Sequence, residues 1–223
     1  MYIGVSGIDG SGKTTLINII NDFISDSLKQ KTVLCDAMKP GCYNSELKRV
    51  ETLLGSPKCY DDFFSPEIVN LAFCADLYEN YHNVIEPNID EGNVVISHRS
   101  RLCCRVYSEV FSDKLSIVEA LIELVPFPDL LFYLKTSPDV AIRRVQGREV
   151  KEGIPVVKKE NIQVFEKATK LYDIQIQKSY ANIITIDGDM EISIIEKEVK
   201  EILQSYFREN GVGEQKSVNK TLL

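Results

Sequence analysis

The chain has 223 residues, of which 44% are hydrophobic and 26% charged, the balance of a folded globular protein and too apolar for a disordered one. A formal net charge of -7 excludes nucleic-acid or anionic-membrane binding by bulk positive charge and leaves room only for a locally basic pocket. No apolar run reaches the roughly 18–20 residues of a membrane span, so a soluble chain with one hydrophobic core is expected.

Tyr2 to Ser6 is a short apolar run that stops at glycine, the signal of a buried strand. Thr14 to Leu28 carries Leu16, Ile17, Ile20, Phe23, Ile24 and Leu28 at helical spacing. Thr32 to Cys35 reads as a second strand and Ser45 to Leu54 as a short helix. Ser65 followed by Pro66 is a helix start, with the helix running towards Ile85 and resuming at Pro87 to Asp90 after a break. Asn93 to Ser97 is a third strand, and Leu115 to Leu124 a helix. Pro128 to Leu134 forms a fourth strand, entered by a Pro-Asp turn. Pro138 opens a helix to about Val145, and a charged stretch broken by Gly147, Gly153 and Pro155 follows. A long helix from about Lys158 to Lys178 sets Val164, Phe165, Ala168, Leu171 and Tyr172 on one side. Asn182 to Ile186 is a fifth strand, and a last helix carries Ile195, Val199, Ile202, Leu203, Tyr206 and Phe207. Residues 208–223 are polar and are expected to form a mobile tail.

Five apolar strands separated by helices predict an α/β fold: a five-stranded parallel sheet flanked by helices in three layers. Right-handed crossovers then bring the strand C-terminal ends, and the ligand, to one edge. The six cysteines at 35, 42, 59, 74, 103 and 104 form no C-x-x-C pair, and only two histidines are present. A zinc site is not expected, and the thiols read as reduced cysteines of a cytoplasmic protein. No secretory signal is visible at the N-terminus.

The first strand ends in Gly7-Ile8-Asp9-Gly10-Ser11-Gly12-Lys13-Thr14, followed by Thr15. This is the phosphate-binding loop G-x-x-x-x-G-K-[ST], standing where it must, between a strand and a helix. Its glycines let successive backbone N–H groups turn inward on an anion, and the helix after it adds its positive end. Lys13 is placed to reach the β- and γ-phosphates of a nucleoside triphosphate, and the Thr14 hydroxyl to ligate Mg²⁺. GTPases, motor ATPases and small kinases all use this loop. The chain has no guanine-reading N-K-x-D and no visible motor machinery, which leaves a small-molecule kinase as the leading class.

From the phosphate loop onward, segments over about 200 residues resemble the thymidylate kinases. They are Phe73-Cys74-Ala75-Asp76, then Ile85-Glu86-Pro87 with Gly92 to Arg99, then Pro128-Asp129-Leu130, the pair Arg144 and Arg148, and Phe165 with Tyr172. The resemblance implies a single P-loop kinase domain over residues 1–207, with a lid at about 144–160 that closes over ATP. It implies phosphoryl transfer from ATP, with Mg²⁺, to a nucleoside monophosphate such as dTMP. Asp9 would bond the acceptor sugar hydroxyl, Phe73 would stack on its base, and Tyr107 falls near the acceptor-side tyrosine. Arg99 would bridge the phosphates of donor and acceptor. Arg144 and Arg148 would bind adenine and phosphates as the lid closes, and Arg49 or Lys48 would meet the acceptor phosphate. Because Gly10-Ser11 leaves the loop without an arginine, Arg148, Lys151, Lys158 or Lys159 would supply the lid charge. The resemblance also implies a homodimer, with helices around residues 66–85 at the interface.

Four positions depart from the family pattern. Met38 and Lys39 stand in place of an Arg-Glu pair, Leu77 replaces an arginine, and His98 replaces the carboxylate before Arg99. Losing one charged partner at a buried site costs on the order of 2–5 kcal/mol, so the acceptor half is expected to be modified while the donor half is conventional. His98 is either a replacement proton carrier or a loop hydrogen-bonding group. Two other readings stay open. His98-Arg99-Ser100 and Gly153-Ile154-Pro155 resemble deoxynucleoside kinases, which need a carboxylate base where Lys39 stands. The altered residues also suit a degenerate, nucleotide-binding accessory protein.

Overall fold

The computed structural model describes residues 1–39, 41–54, 63–112, 116–152, 162–179 and 182–210, with the backbone alone at 116 and 149–152. β1 (Tyr2–Ser6), β2 (Thr32–Asp36), β3 (Val94–His98), β4 (Leu130–Lys135) and β5 (Ile183–Asp187) form one parallel sheet in the order β2-β3-β1-β4-β5. The α/β class and the five strands expected from the sequence are thus present.

Side-chain alternation along the strands feeds two cores, one per face. On one face Ile3, Val5, Val94, Ile96, Phe132 and Ile186 pack under α1 (Lys13–Asp22) and α9 (Ile192–Glu209). On the other, Tyr2, Val95, Leu131 and Tyr133 pack against α3 (Pro66–Asn80), α5 (Arg101–Phe111), α6 (Ser116–Glu123) and α8 (Ile162–Lys178). The three layers follow from this division.

α1 continues through a turn of π-helix at Phe23–Ser27. α2 (Cys42–Leu53) begins three residues before the expected Ser45. Pro87 does not break the helix that starts at Pro66. A π-turn at Tyr81–Ile85, with Glu86 N–H bonded to Tyr81 O, leads into α4 (Glu86–Asp90), where Pro87 sits in the first turn and needs no N–H. α5 has no counterpart among the expected elements. Its N-cap is Ser100, whose Oγ accepts from Leu102 N–H, and its buried residues include Leu102, Val106 and Val110 at helical spacing. α7 (Pro138–Glu152) runs past Gly147, seven residues beyond the expected end at Val145.

The final helix reaches Glu209, so the start of the expected tail is helical, and residues 211–223 lie outside the described residues. Of the expected lid, 144–152 belong to α7, with the Lys151 side chain outside the described residues, whereas 153–160, with Lys158 and Lys159, lie outside them altogether. Cys59 does too, and the other five cysteines are free thiols. Among the described residues no helix is long and apolar enough to cross a membrane.

Candidate active site

β1 occupies the middle of the sheet, and the chain leaves it at Gly7 into the phosphate loop. Gly7, Gly10 and Gly12 all have positive φ, at 152°, 78° and 104°. The requirement at Gly10 is also steric: a Cβ there would lie 2.3 Å from the carbonyl oxygen of Ala141 on α7. Gly12 caps α1 in the left-handed conformation, and its carbonyl accepts from Leu16 N–H at 3.1 Å. Thr14 and Thr15 are exposed on the first turn of α1. Ser11 Oγ is buried and has no hydrogen-bond partner among the described residues.

Lys13 is buried, and its ammonium donates to Gly7 O at 3.1 Å and Ile8 O at 2.9 Å. Asp9 Oδ1 lies 3.6 Å from it. Burial pulls the Lys13 pKa below its ordinary value, Asp9 opposes this, and the nearby Arg99 adds to it. Arg99 Nη2 donates to the same Asp9 oxygen at 2.9 Å. Loss of water around Asp9 pushes its pKa up, but the charges of Arg99, Lys13 and Arg148 outweigh this and hold it low. Asp9 in turn raises the pKa of Arg99 against the effect of burial. Two cations and one carboxylate thus converge at the mouth of the loop.

Arg99 has φ 76°, rare and strained for a residue with a side chain. Its N–H donates to Val5 O at 2.9 Å, and its carbonyl accepts from Ser97 Oγ at 2.7 Å. From this turn the guanidinium reaches Asp9 in the loop that follows β1. Beneath the loop, Ser6 Oγ and Ser100 Oγ are 2.9 Å apart, Cys103 Sγ donates to Ser6 Oγ at 3.3 Å, and the Tyr172 hydroxyl lies 3.1 Å from Cys103 Sγ. That hydroxyl is also 3.4 Å from Gly7 O, and the Tyr172 ring stacks on Tyr133 at 4.9 Å. Burial raises the Tyr172 pKa, so the phenol stays protonated and can donate.

The remaining expected site residues divide into two groups. Tyr107, on α5, places its hydroxyl against the Asp9 backbone N–H. Arg144 Nη1 donates to Ser11 O at 3.3 Å and to Gly188 O at 3.1 Å, tying α7 to the loop and to the turn after β5. Thr136 Oγ1 donates to the same Ser11 carbonyl. Arg148 is exposed, and its charge is felt at Asp9. Phe73, in contrast, lies half-buried on α3 and packs against the core. Arg49 is two-thirds exposed on α2 and pairs with Glu46 at 2.7 Å, a contact that does not join it to the Asp9–Arg99 cluster.

At the departing positions Met38 and Leu77 are buried with the apolar core. His98 faces a carboxylate that the strand pattern alone does not reveal: Asp36 Oδ2 lies 3.3 Å from His98 Nδ1. Met38 N–H donates to Asp36 Oδ1 at 3.1 Å. Burial raises the Asp36 pKa, but the facing His98 ring, the Met38 hydrogen bond and the charge of Arg99 bring it below the ordinary value. Asp76, named in the sequence only as the end of the Phe73-Cys74-Ala75-Asp76 segment, has a further role. Buried on α3, it accepts from Tyr43 N–H and from Asn44 N–H and Nδ2, at 2.9 to 3.2 Å, and so caps α2 in place of Gly41, which has no side chain to do so. Among the described residues no group of three His, Cys, Asp or Glu is placed to hold a metal by itself.

A family model described as thymidylate kinase matches residues 5–199. A thymidylate kinase of Pseudoalteromonas translucida is 23% identical over 212 residues, covering 93% of this chain and 97% of that protein. One from Francisella philomiragia is 27% identical over 211 residues, with 92% and 98% covered. One from Fervidobacterium nodosum is 25% identical over 212 residues, with 93% and 100% covered.

Proposed function

The chain belongs to the thymidylate kinase family, and from that membership we propose that it transfers the γ-phosphoryl group of ATP to dTMP, yielding ADP and dTDP. The observation that carries this reading is the convergence of Lys13, Arg99 and Asp9 on the phosphate loop. The loop amides and the start of α1 would cradle the donor phosphates. Lys13 would follow the charge that develops between the β- and γ-phosphates. Arg99, with its rigid fork of donors, would span donor and acceptor phosphates, and Arg148 would close on them from α7. Asp9 would accept from the acceptor sugar, with Phe73 and Tyr107 at its base side and Arg49 at its phosphate. An oxygen of the acceptor phosphate attacks the γ-phosphorus as the bond to the bridging oxygen of ADP breaks. The attacking oxygen of the acceptor phosphate is already anionic, so the transfer needs no general base.

Mg²⁺ fits the donor set at the first turn of α1, because the exposed Thr14 hydroxyl is a hard oxygen ligand beside the phosphate cradle. When bound, the ion would neutralise charge on the β- and γ-phosphates. A homodimer through the helices around residues 66–85 belongs to the same proposal and is tested by sedimentation.

Asp36 gives the deoxynucleoside-kinase reading one point of support, since it is a carboxylate at the end of β2. Both of its oxygens are engaged, however, by Met38 N–H and by His98. A coupled ADP-release assay with ATP·Mg²⁺ over a panel of nucleosides and monophosphates separates the two. Turnover that depends on dTMP is expected. Turnover with nucleosides alone would replace the proposal with the second reading, and nucleotide binding without turnover would leave an accessory protein.

A further inference from the structure

Asp36 and His98 end β2 and β3 and are register partners. Along β3, Val94 and Ile96 point into the core beneath Leu16, Ile17 and Ile20 of α1, and alternation puts the His98 side chain on that same face. β3 lies beside β1, with Val5 opposite His98. α1 starts from the loop that leaves β1, so its first turn, with Thr14 and Thr15, lies at the sheet edge that His98 occupies.

The imidazole is held from behind. Nδ1 is buried without an aligned hydrogen-bond partner, and the group that faces it, at 3.3 Å, is the Asp36 carboxylate. A carboxylate only accepts, so the nitrogen facing it, Nδ1, is the donor side of the ring and Nε2 is the nitrogen left to meet a metal. The His98 side chain is 24% exposed, and because Nδ1 is buried that exposure falls on the rest of the ring. A carboxylate behind a histidine whose far nitrogen is open is the arrangement that prepares imidazole for a metal ion.

We propose that His98, positioned by Asp36, supplies a nitrogen ligand to the divalent cation of the bound nucleotide, alongside the Thr14 hydroxyl. The proposal rests on the phosphate loop being a nucleotide site. Its consequence is a metal preference: an imidazole ligand favours Mn²⁺ and Co²⁺ relative to Mg²⁺, which takes oxygen donors.

The test uses the full chain labelled with ¹⁵N-histidine, Mn²⁺ and ATP. The sequence holds only two histidines, His82 and His98, so labelling is nearly site-specific. Electron spin echo of the Mn²⁺·ATP complex is expected to show ¹⁵N coupling from a directly bound imidazole. His82→Gln should keep the coupling, and His98→Asp should lose it while still binding Mn²⁺·ATP. Asp36→Asn should weaken Mn²⁺ affinity of the nucleotide complex by about 10–100-fold, the usual effect of removing a carboxylate behind a metal-binding histidine. Bound Mn²⁺·ATP with no ¹⁵N coupling overturns the proposal and leaves the nucleotide site standing. Failure of Mn²⁺·ATP to bind at all, in wild type as in Lys13→Ala, overturns both.

Discussion

Replacing Gly10 with alanine tests the close approach between the phosphate loop and α7. Two costs are separable. The first is backbone: at φ 78° an L side chain costs about 1–2 kcal/mol, offset by roughly 0.4–1 kcal/mol of lost freedom in the unfolded chain. The second is steric. The new Cβ would sit 2.3 Å from Ala141 O and 2.9 Å from both Ala141 C and Val145 Cγ2. Non-bonded carbons prefer about 3.5–4.0 Å, so α7 must retreat by roughly 1 Å. Overpacking of this kind costs about 1–3 kcal/mol. Gly92 supplies the control, because it has φ 82° but nothing within 4 Å of its virtual Cβ. Gly92→Ala should therefore lower Tm by about 2–4 °C per kcal/mol of net backbone cost, with activity intact. Gly10→Ala should lose roughly three to four times as much. It should also lose about 100-fold in kcat/KM for ATP, the scale of a 1 Å misplacement, since α7 carries Arg144 and Arg148. Thermal melts and a coupled assay at varied ATP measure both effects. If Gly10→Ala melts with Gly92→Ala and kcat/KM is unchanged, the packing of α7 on the loop does not constrain the site, and the reasoning fails.

Lys13→Ala should lower kcat by about 10²–10³-fold or more, the cost of one preorganised donor, with KM for dTMP little changed in steady-state kinetics. Arg144→Ala removes the bonds to Ser11 O and Gly188 O and should raise KM for ATP about tenfold, or ~1.4 kcal/mol, while KM for dTMP stays put. Tyr172→Phe takes away the hydroxyl beneath Gly7 and should cost about 1 kcal/mol in urea unfolding. Asp36 has a folded pKa below its unfolded value, so its contribution is complete above about pH 4 and is lost as pH falls through the folded pKa. The drop in urea midpoint between pH 5 and pH 3 should accordingly be smaller in Asp36→Asn than in wild type.

What the sequence reveals about this site follows the range of the interaction concerned. The phosphate loop is legible because its demands are local: glycines at 7, 10 and 12 answer positive φ values, and the strand and helix that flank it are adjacent in the chain. The five strands are legible as apolar runs because both faces of the sheet are covered. Gly147 misleads for the opposite reason. A glycine inside a helix costs only about 1 kcal/mol, which packing along α7 can outweigh, so the helix continues. α5 did carry a signal, Ser100 as cap with Leu102, Val106 and Val110 behind it. The paired cysteines at 103 and 104 belong to that pattern as small apolar residues and not as redox groups.

Side-chain partnerships between strands are written nowhere in the chain. Asp9 and Arg99 are 90 residues apart, and only the β1–β3 pairing brings them to one edge. The same holds for the residue that most resembled a loss. In sequence His98 replaces a carboxylate, and the site reads as missing an acid. The β2–β3 register places Asp36 beside it, so a carboxylate remains at that edge, moved to the next strand and acting behind a ring nitrogen. Asp76 behaves likewise, capping α2 from a helix more than 30 residues downstream. Single substitutions at the ends of parallel strands are therefore poor measures of lost chemistry, because each strand end is chemically completed by its neighbour. Charge at this site has to be counted along the sheet edge and not along the chain.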